Sequence, residues 1–349
     1  HASATALAIA EAATREDRPW IIIEADSRSA ERRRAELAFF APDGLPLLSL
    51  PDWEVLPYDV FSPHPDITSE RLLALAELPQ ARRGVLIVSV DTLLQRLPPK
   101  PYVAGRSFSL SVGDTLALDA FKLRLTEAGY CSVSQVTDPG DSALRGSLLD
   151  VYPMGTTSPL RIDLFDDEIE AIRRFDPQTQ RSGESLASVR LLPAREIPLD
   201  GDSVRAFRRR YRTRFDGDPT RSAIYRGVSD GMAPAGIEFY LPLFFEETAT
   251  LFDYLPDGAV IVDATFGLET VIGRSWEALR ARYDDRCGDI ERPLLKPEEL
   301  FIDEATVLAA CHSHPRVTID TFARDDESSL GTHAPRELRI DARAERPLR

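Results

Sequence analysis

The sequence predicts an α/β protein with two kinds of sheet, one parallel and one antiparallel, and three observations carry that prediction. Short apolar runs rich in β-branched residues, PWIIIEAD (19–26), GVLIVSV (84–90) and GAVIVDA (258–264), have the length and composition of strands buried on both faces. Helical patterns alternate with the first of them, the rhythm of an open parallel sheet covered by helices. From Phe108 to SVRLLPA (188–194) the rhythm changes to short alternating strands broken by TDPGD, YPMG, TTSP, FDDE and DPQT, the signature of a mixed unit with an antiparallel sheet.

Taken in order, residues 4–17 carry a helical pattern and lead into the first apolar run. Ser27 to Phe40 reads as a charged helix with Ser27 or Ser29 as its cap. LPLLSLPDW (45–53) reads as a strand, Thr68–Leu78 as a helix, and a helix from Asp91 to about Leu97 follows GVLIVSV. The first unit closes near the proline-rich RLPPKPYV. A helix at Leu118–Gly129 opens the mixed unit. The remainder begins with a helix at Asp202–Phe215, adds the GAVIVDA strand and a long helix at Leu268–Tyr283, and ends with a short strand at Val317–Thr321. The final charged stretch, DDESSLGTHAPRELRIDARAERPLR, reads as a linker or the start of another domain.

A chain of 349 residues exceeds one small core and implies two or three domains. The net charge of −15 argues against a surface built as a nucleic-acid glove, because phosphate binding needs clustered positive potential. Cys131, Cys287 and Cys311 are scattered and odd in number, which fits a reducing cytoplasm rather than a disulfide framework. No apolar run approaches the length of a membrane span. ASATALAIAEAA has no basic leader and is followed by Arg15 after the interruption at Glu11, so it reads as an amphipathic helix rather than a signal core. Starting at His1 without Met, the chain is expected to be a fragment.

A parallel α/β sheet invites a nucleotide, and the residues that would hold one can be checked. The phosphate loop GxxxxGK[ST] needs a Lys after Gly. The only lysines are Lys100, Lys122 and Lys296, and none follows a glycine. No GxGxxG occurs, and the first glycine is Gly44. VIVDA has the shape of a strand delivering a Mg²⁺-binding Asp and then a catalytic Glu, but Asp263 is followed by Ala264. Phosphoryl transfer would lack both its clamp and its water-activating base. Cys311, His312 and His314 offer soft metal ligands without the second cluster a structural site requires, so no metal is expected. RRRYRTR (208–214) is the one basic concentration, read as a solvated helix face before a DNA contact. Five histidines, one of them terminal, support no Ser/His/Asp or Cys/His arrangement.

The most distinctive stretch is RGSLLDVYPMGTTSPLRIDLFDDEIEAIRRFD, from Arg145 to Asp176, which alternates as a hairpin with turns at Pro-Met-Gly and Asp-Asp. Leu160, Ile162 and Leu164 share one side of an extended strand, and Arg161, Asp163 and Phe165 the other. The first set is a core face. An aromatic beside an Arg on the second has the composition of a binding hot spot. Alternatively Phe165 packs under a neighbouring loop or domain, and alternation leaves both readings open. Asp166, Asp167 and Glu168 sit at a turn, where carboxylates are solvated.

WEVLPYDVFSPHPDITSERLLAL, GVLIVSVDTLLQRLP, RGSLLDVYPMG with LRIDLFDDEIEAIRRFDPQTQRS, and GMAPAGIEFYLPLFF with LFDYLPDGAVIVD resemble the N-terminal module of the bacterial transcription-repair coupling factors (Mfd), itself similar to the repair helicase subunit UvrB. The resemblance covers about residues 1–320 and only the front third of that large protein. It implies a degenerate helicase-like (RecA-like) parallel-sheet domain at 1–106 and 194–325, interrupted by a smaller UvrA-binding domain at 107–193, with 326–349 left as a linker or a further domain's start. In UvrB a true phosphate loop stands where this chain reads HASATALA, and an Asp-Glu pair where it reads Asp263-Ala264.

The resemblance therefore implies a module without catalysis or cofactor of its own, the ATP and Mg²⁺ belonging to the translocase motor that follows in the family. It places the UvrA-contacting positions on Arg145, Arg161 and Phe165, with Asp163 and Glu168 orienting the arginines or lying at the rim. Two Arg forks and a ring would anchor an acidic, partly apolar patch on UvrA. RNA polymerase and DNA are expected to be bound by the family's later domains, and the resemblance implies that the C-terminal region of the full protein can mask this surface. The implied role is cytoplasmic recruitment of UvrA to RNA polymerase stalled at DNA damage. The alternatives are an ATP-dependent nucleic-acid motor or a DNA-binding domain.

Overall fold

In a computed structural model, which describes residues 2–320, the chain opens with α1 (Ala2–Arg15), β1 (Pro19–Glu24), α2 (Ser27–Phe40), β2 (Leu47–Leu50), α3 (Pro65–Glu77) and β3 (Gly84–Ser89). A middle stretch follows, with β4 (Phe108–Ser111), α4 (Leu118–Glu127), β5 (Cys131–Ser132), β6 (Asp141–Arg145), β7 (Leu148–Val151), β8 (Leu160–Phe165), β9 (Glu168–Phe175), β10 (Ser182–Leu186) and β11 (Ser188–Leu191). The rest contains α5 (Gly201–Arg214), α6 (Ala223–Ser229), β12 (Val260–Asp263), α7 (Leu268–Arg286), α8 (Glu304–His312) and β13 (Arg316–Thr318). The linker expected at 326–349 lies outside the described residues, as does the last residue of the strand expected at Val317–Thr321.

Five strands form an all-parallel sheet in the order β13-β12-β1-β3-β2. Its strands alternate between two buried faces, as a sheet covered on both sides must. Ile22, Val85, Ile87, Val260 and Val262 pack against Ala6, Ile9, Ala10 and Ala13 of α1 and Leu37 of α2. The alanine spacing explains α1: small residues at i, i+4 and i+7 let the helix lie close on the strands. Ile21, Ile23, Leu86, Val88 and Ile261 point to the opposite side, into the larger core that includes Leu72 and Leu75 of α3.

The six-stranded sheet runs β10-β9-β8-β7-β6-β5 and is antiparallel except for the β5–β6 pair. Its inner face, Leu149, Leu160, Ile162, Leu164 and Ile172, shares the larger core with Phe121 and Leu125 of α4. β4 and β11 pair antiparallel, so the middle stretch enters and leaves at adjacent points. That neck explains how the parallel sheet is built from both sides of the interruption: β1–β3 precede it in sequence and β12–β13 follow it.

A buried ion pair stands where the returning chain meets α3. Arg71 is inaccessible to solvent and grips Glu196 through Nε (2.5 Å) and Nη2 (3.2 Å). Its Nη1 donates to the Pro51 carbonyl (2.7 Å), and its guanidinium lies 5.2 Å from the Trp53 ring centroid. Tyr102 Oη donates to the Arg195 carbonyl (2.9 Å), and Gly155 N donates to Ser69 Oγ (2.8 Å), tying the same junction at its edges.

Three local expectations change. The cap of α2 is Asp26, extended and accepting from Ser29 N at 2.7 Å, so Ser27 is the first helical residue rather than the cap. α3 begins at Pro65, not Thr68, because proline suits a first helical turn and His64 caps it. The helix expected from Asp91 to Leu97 stops after one turn at Leu93. Beyond it Arg96 N donates to Leu300 O and Leu97 N to Ala249 O, and Pro98-Pro99 disfavours further helix.

Candidate protein-docking face

β8 and β9 are joined by Asp166-Asp167, with Asp166 in the left-handed region (φ 52°), a conformation aspartate tolerates in turns. Along β8, Leu160, Ile162 and Leu164 are buried, whereas Phe165 is 70% exposed. Among the described residues no loop or neighbouring element covers that ring. Opposite the step from Asp163 to Leu164, β9 carries one extra residue, Glu170, but β8 itself alternates without interruption.

Register decides what surrounds the ring. Directly paired residues share a face. Arg145, Leu148, Asp163 and Ala171 form one row across β6 to β9, and Ala143, Asp150, Arg161 and Arg173 form the next. Phe165 stands two residues beyond Asp163 on the same side. The three sequence-predicted positions, Arg145, Arg161 and Phe165, thus lie on one outer face of one sheet.

Arg161 is pinned there. Its Nε and Nη2 donate to the two Asp150 oxygens at 2.7 and 2.9 Å, and Nη1 donates to the Gln180 carbonyl at 3.3 Å. Its guanidinium stacks 4.8 Å from the Phe175 ring centroid, and Phe175 sits in a small cluster with Val136 and Ala143. The Asp150 hydrogen bond raises the arginine's pKa further. Arg173 is paired with Asp163 at 2.5 Å. Arg145 is exposed, donates to the Ser134 carbonyl, and among the described residues has no carboxylate in ion-pair range.

One expectation shifts. Asp163 does not orient Arg161; Asp150 does, and Asp163 holds Arg173. Glu168 lies across from Phe165 at the turn, bridged to Thr115. Asp150 was invisible in the sequence because its role depends on β7–β8 register, though its place in the RGSLLDVYPMG block was a signal. Of the two forks expected to grip a partner, that of Arg161 is already filled from within, leaving Arg145 as the cation without an acidic partner.

The second predicted site, Asp263 with Ala264, lies at the carboxyl end of the parallel sheet. Asp263 is buried; one oxygen accepts from Thr265 N (3.1 Å) and Thr265 Oγ1 (2.7 Å), the other from Arg316 Nη2 (2.9 Å). Ala264 is buried among apolar residues, with its N–H donating to Ile23 O. Both carboxylate oxygens therefore face donors from the chain itself.

The remaining candidates resolve into structure. Arg214 forms a two-pronged pair with Glu299 (2.6 Å each), Arg210 donates to Leu243 O, and Arg208 and Arg212 lie over the Tyr225 ring. Most of the basic run is thus bracing rather than free charge. Cys311 is buried and its thiol is pushed up to about 11 by that burial, while His314 stacks on Phe252. Among the described residues no group of three His, Cys, Asp or Glu is placed to hold a metal ion, and no helix is long and apolar enough to cross a membrane.

Comparison with known proteins supplies a family for this geometry. Residues 108–197 match the model of the UvrB interaction domain. The chain is similar to the transcription-repair-coupling factor of Haemophilus influenzae, 39% identical over 350 residues, covering 99% of this chain and 30% of that protein. It matches the Escherichia coli protein of the same name to the same extent, and that of Myxococcus xanthus at 34% over 303 residues, 80% of this chain and 25% of that protein. The chain spans less than a third of the length of these curated relatives.

Proposed function

Since this chain belongs with the transcription-repair-coupling factors, matching them over 99% of its own length, and carries a UvrB interaction domain, we propose that it is a non-catalytic recruitment module that docks UvrA and directs nucleotide excision repair to RNA polymerase stalled at DNA damage. The observation that carries this reading is Phe165, 70% exposed on the same sheet face as the pinned Arg161 and the accessible Arg145. An aromatic with few torsions and a preorganised guanidinium on one face lose little freedom on binding, the property of anchors. In this reading residues 107–193 are the docking domain, and 1–106 with 194–325 form a helicase-like body that no longer hydrolyses ATP. RNA polymerase and DNA are engaged by other parts of the longer protein, in the cytoplasm.

Loss of nucleotide chemistry is supported by the absence of a phosphate-loop lysine in the sequence and by the donors around Asp263. The purified chain is expected to bind purified UvrA in isothermal titration calorimetry and to release no phosphate from ATP, with or without DNA. No heat of binding to UvrA sinks the recruitment reading. ATP turnover above that of an Asp263→Ala protein sinks the non-catalytic one.

Asp150 is buried and acts on a partner only through Arg161. Asp150→Asn keeps its volume and breaks the charge-assisted fork, which is worth about 1.5–3 kcal/mol. UvrA affinity is expected to fall about fivefold or more as Arg161 loses its fixed pose. The same change in an Arg161→Ala background should have no further effect on binding, the mark of one residue acting through another. Affinity at or above the parent's would show that the partner does not read that pose.

A further inference from the structure

Outside the antiparallel sheet, three segments converge on Asp59. Its carboxylate faces Arg282 (3.5 Å) and Arg286 (3.8 Å), and its carbonyl accepts from Arg292 Nη2 (2.6 Å). Arg282 Nε also donates to the Pro57 carbonyl at 3.3 Å. Ser62 Oγ accepts from Gly236 N (3.0 Å) and donates to Glu238 (2.8 Å). The loop after Trp53, the turn before Gly236 and the end of α7 with its following turn are thereby tied into one surface.

The loop is held in a costly shape. Glu54 and Tyr58 adopt left-handed backbone (φ 56° and 63°), a conformation that costs a non-glycine residue about 1–3 kcal/mol. Tyr58 is nevertheless fixed, its buried ring 5.8 Å from Phe239 and 5.6 Å from Tyr283. With Tyr58 turned inward, Leu56, Val60 and Phe61 are turned out. Phe61 is 63% exposed and Ile290 72%, and Met232 is exposed on the turn before Gly236. Single exposed apolar residues are ordinary, but five around one nexus make a patch of the kind that marks an interface.

Charge says what fits it. Arg282 and Arg286 face the Asp59 carboxylate and Arg292 its carbonyl, so within 54–62, 230–236 and 284–292 the exposed charges are acidic, Glu54, Asp230, Asp284, Asp285, Asp289 and Glu291, with the exposed Arg226, Arg280 and Lys296 lying outside these stretches. Such a rim repels nucleic-acid phosphates and anionic lipid and attracts cations. We propose that this surface docks a protein segment with an apolar centre flanked by lysines or arginines.

The test uses fluorescein-labelled amphipathic helical peptides, one of leucine and lysine and one with glutamate in place of lysine, titrated with the intact chain by anisotropy. The parent should bind the lysine peptide at least about tenfold tighter than the glutamate peptide, less so at high salt. Phe61→Ser with Ile290→Ser, both at exposed positions, should weaken lysine-peptide binding about tenfold or more, while Phe165→Ala should not change it. Three results overturn the proposal: no binding by the parent, equal affinity for both peptides, or equal lysine-peptide affinity for parent and double variant. The last would be mere attraction to an acidic chain. None of these outcomes bears on UvrA docking.

Discussion

Phe165→Ala in the otherwise intact chain is expected to lower the proposed affinity for UvrA by about 2 kcal/mol, roughly thirtyfold, with thermal stability unchanged. The two halves of this expectation have separate physical causes. The ring is 70% exposed, so removing it empties no core and leaves the fold alone. In a complex the same ring, at the hairpin end of the face bearing Arg145 and Arg161, would be desolvated against the partner, and aromatic anchors carry most of the energy of such contacts. Arg161→Ala should cost a comparable amount of binding, but it also strands the buried Asp150 carboxylate, so its melting temperature must be measured alongside. Arg161→Lys should not rescue, because an ammonium cannot fill the Asp150 fork with two parallel hydrogen bonds. Calorimetric titration of folded variants checks all three. If Phe165→Ala and Arg145→Ala proteins bind as the parent does, this face is not the UvrA site.

Arg71→Ala carries the largest expected cost to stability. It leaves Glu196 buried without its counter-ion, unpairs the Pro51 carbonyl and opens a void beside Trp53. Breaking a buried pair by removing one partner costs about 3–5 kcal/mol, a large part of the stability of a typical domain. Glu196→Ala should cost a similar amount from the other side. The joint change Arg71→Met with Glu196→Leu should recover most of it, since apolar residues of similar volume often replace a buried pair without loss. Urea unfolding with a common m-value reads the difference. A loss under about 1 kcal/mol for Arg71→Ala would mean the junction relaxes and solvates Glu196.

Much of the fold was legible because its signals are local. The β-branched runs became β1, β3 and β12, each buried along its length, and the helix read at Ser27–Phe40 has those bounds. Both follow from contacts between residues two to four apart, which composition and period record. The cap of α2 was misread among neighbouring cap-forming residues, a choice set by the backbone of Asp26 rather than by residue type. The shortened helix after β3 was illegible for a different reason: its carbonyl partners, Ala249 and Leu300, lie far along the chain.

The candidate site divides in the same way. Alternation along β8 put Arg161 and Phe165 on the face opposite Leu160, Ile162 and Leu164, and that much the sequence determined by itself, because a strand's side-chain period is two residues. It also determined that no lysine follows a glycine anywhere in the chain. Only the tertiary structure decided that Phe165 is uncovered, that Asp150 and not Asp163 holds Arg161, that Arg316 faces Asp263, and that most of the arginine run is spent on Tyr225, Leu243 and Glu299. These are pairings between groups separated by 11 residues for Asp150 and Arg161, 53 for Asp263 and Arg316, and 85 for Arg214 and Glu299. Which charges meet at such separations depends on strand register and element packing, and those are settled by the burial of the whole chain rather than by the residues that end up in contact.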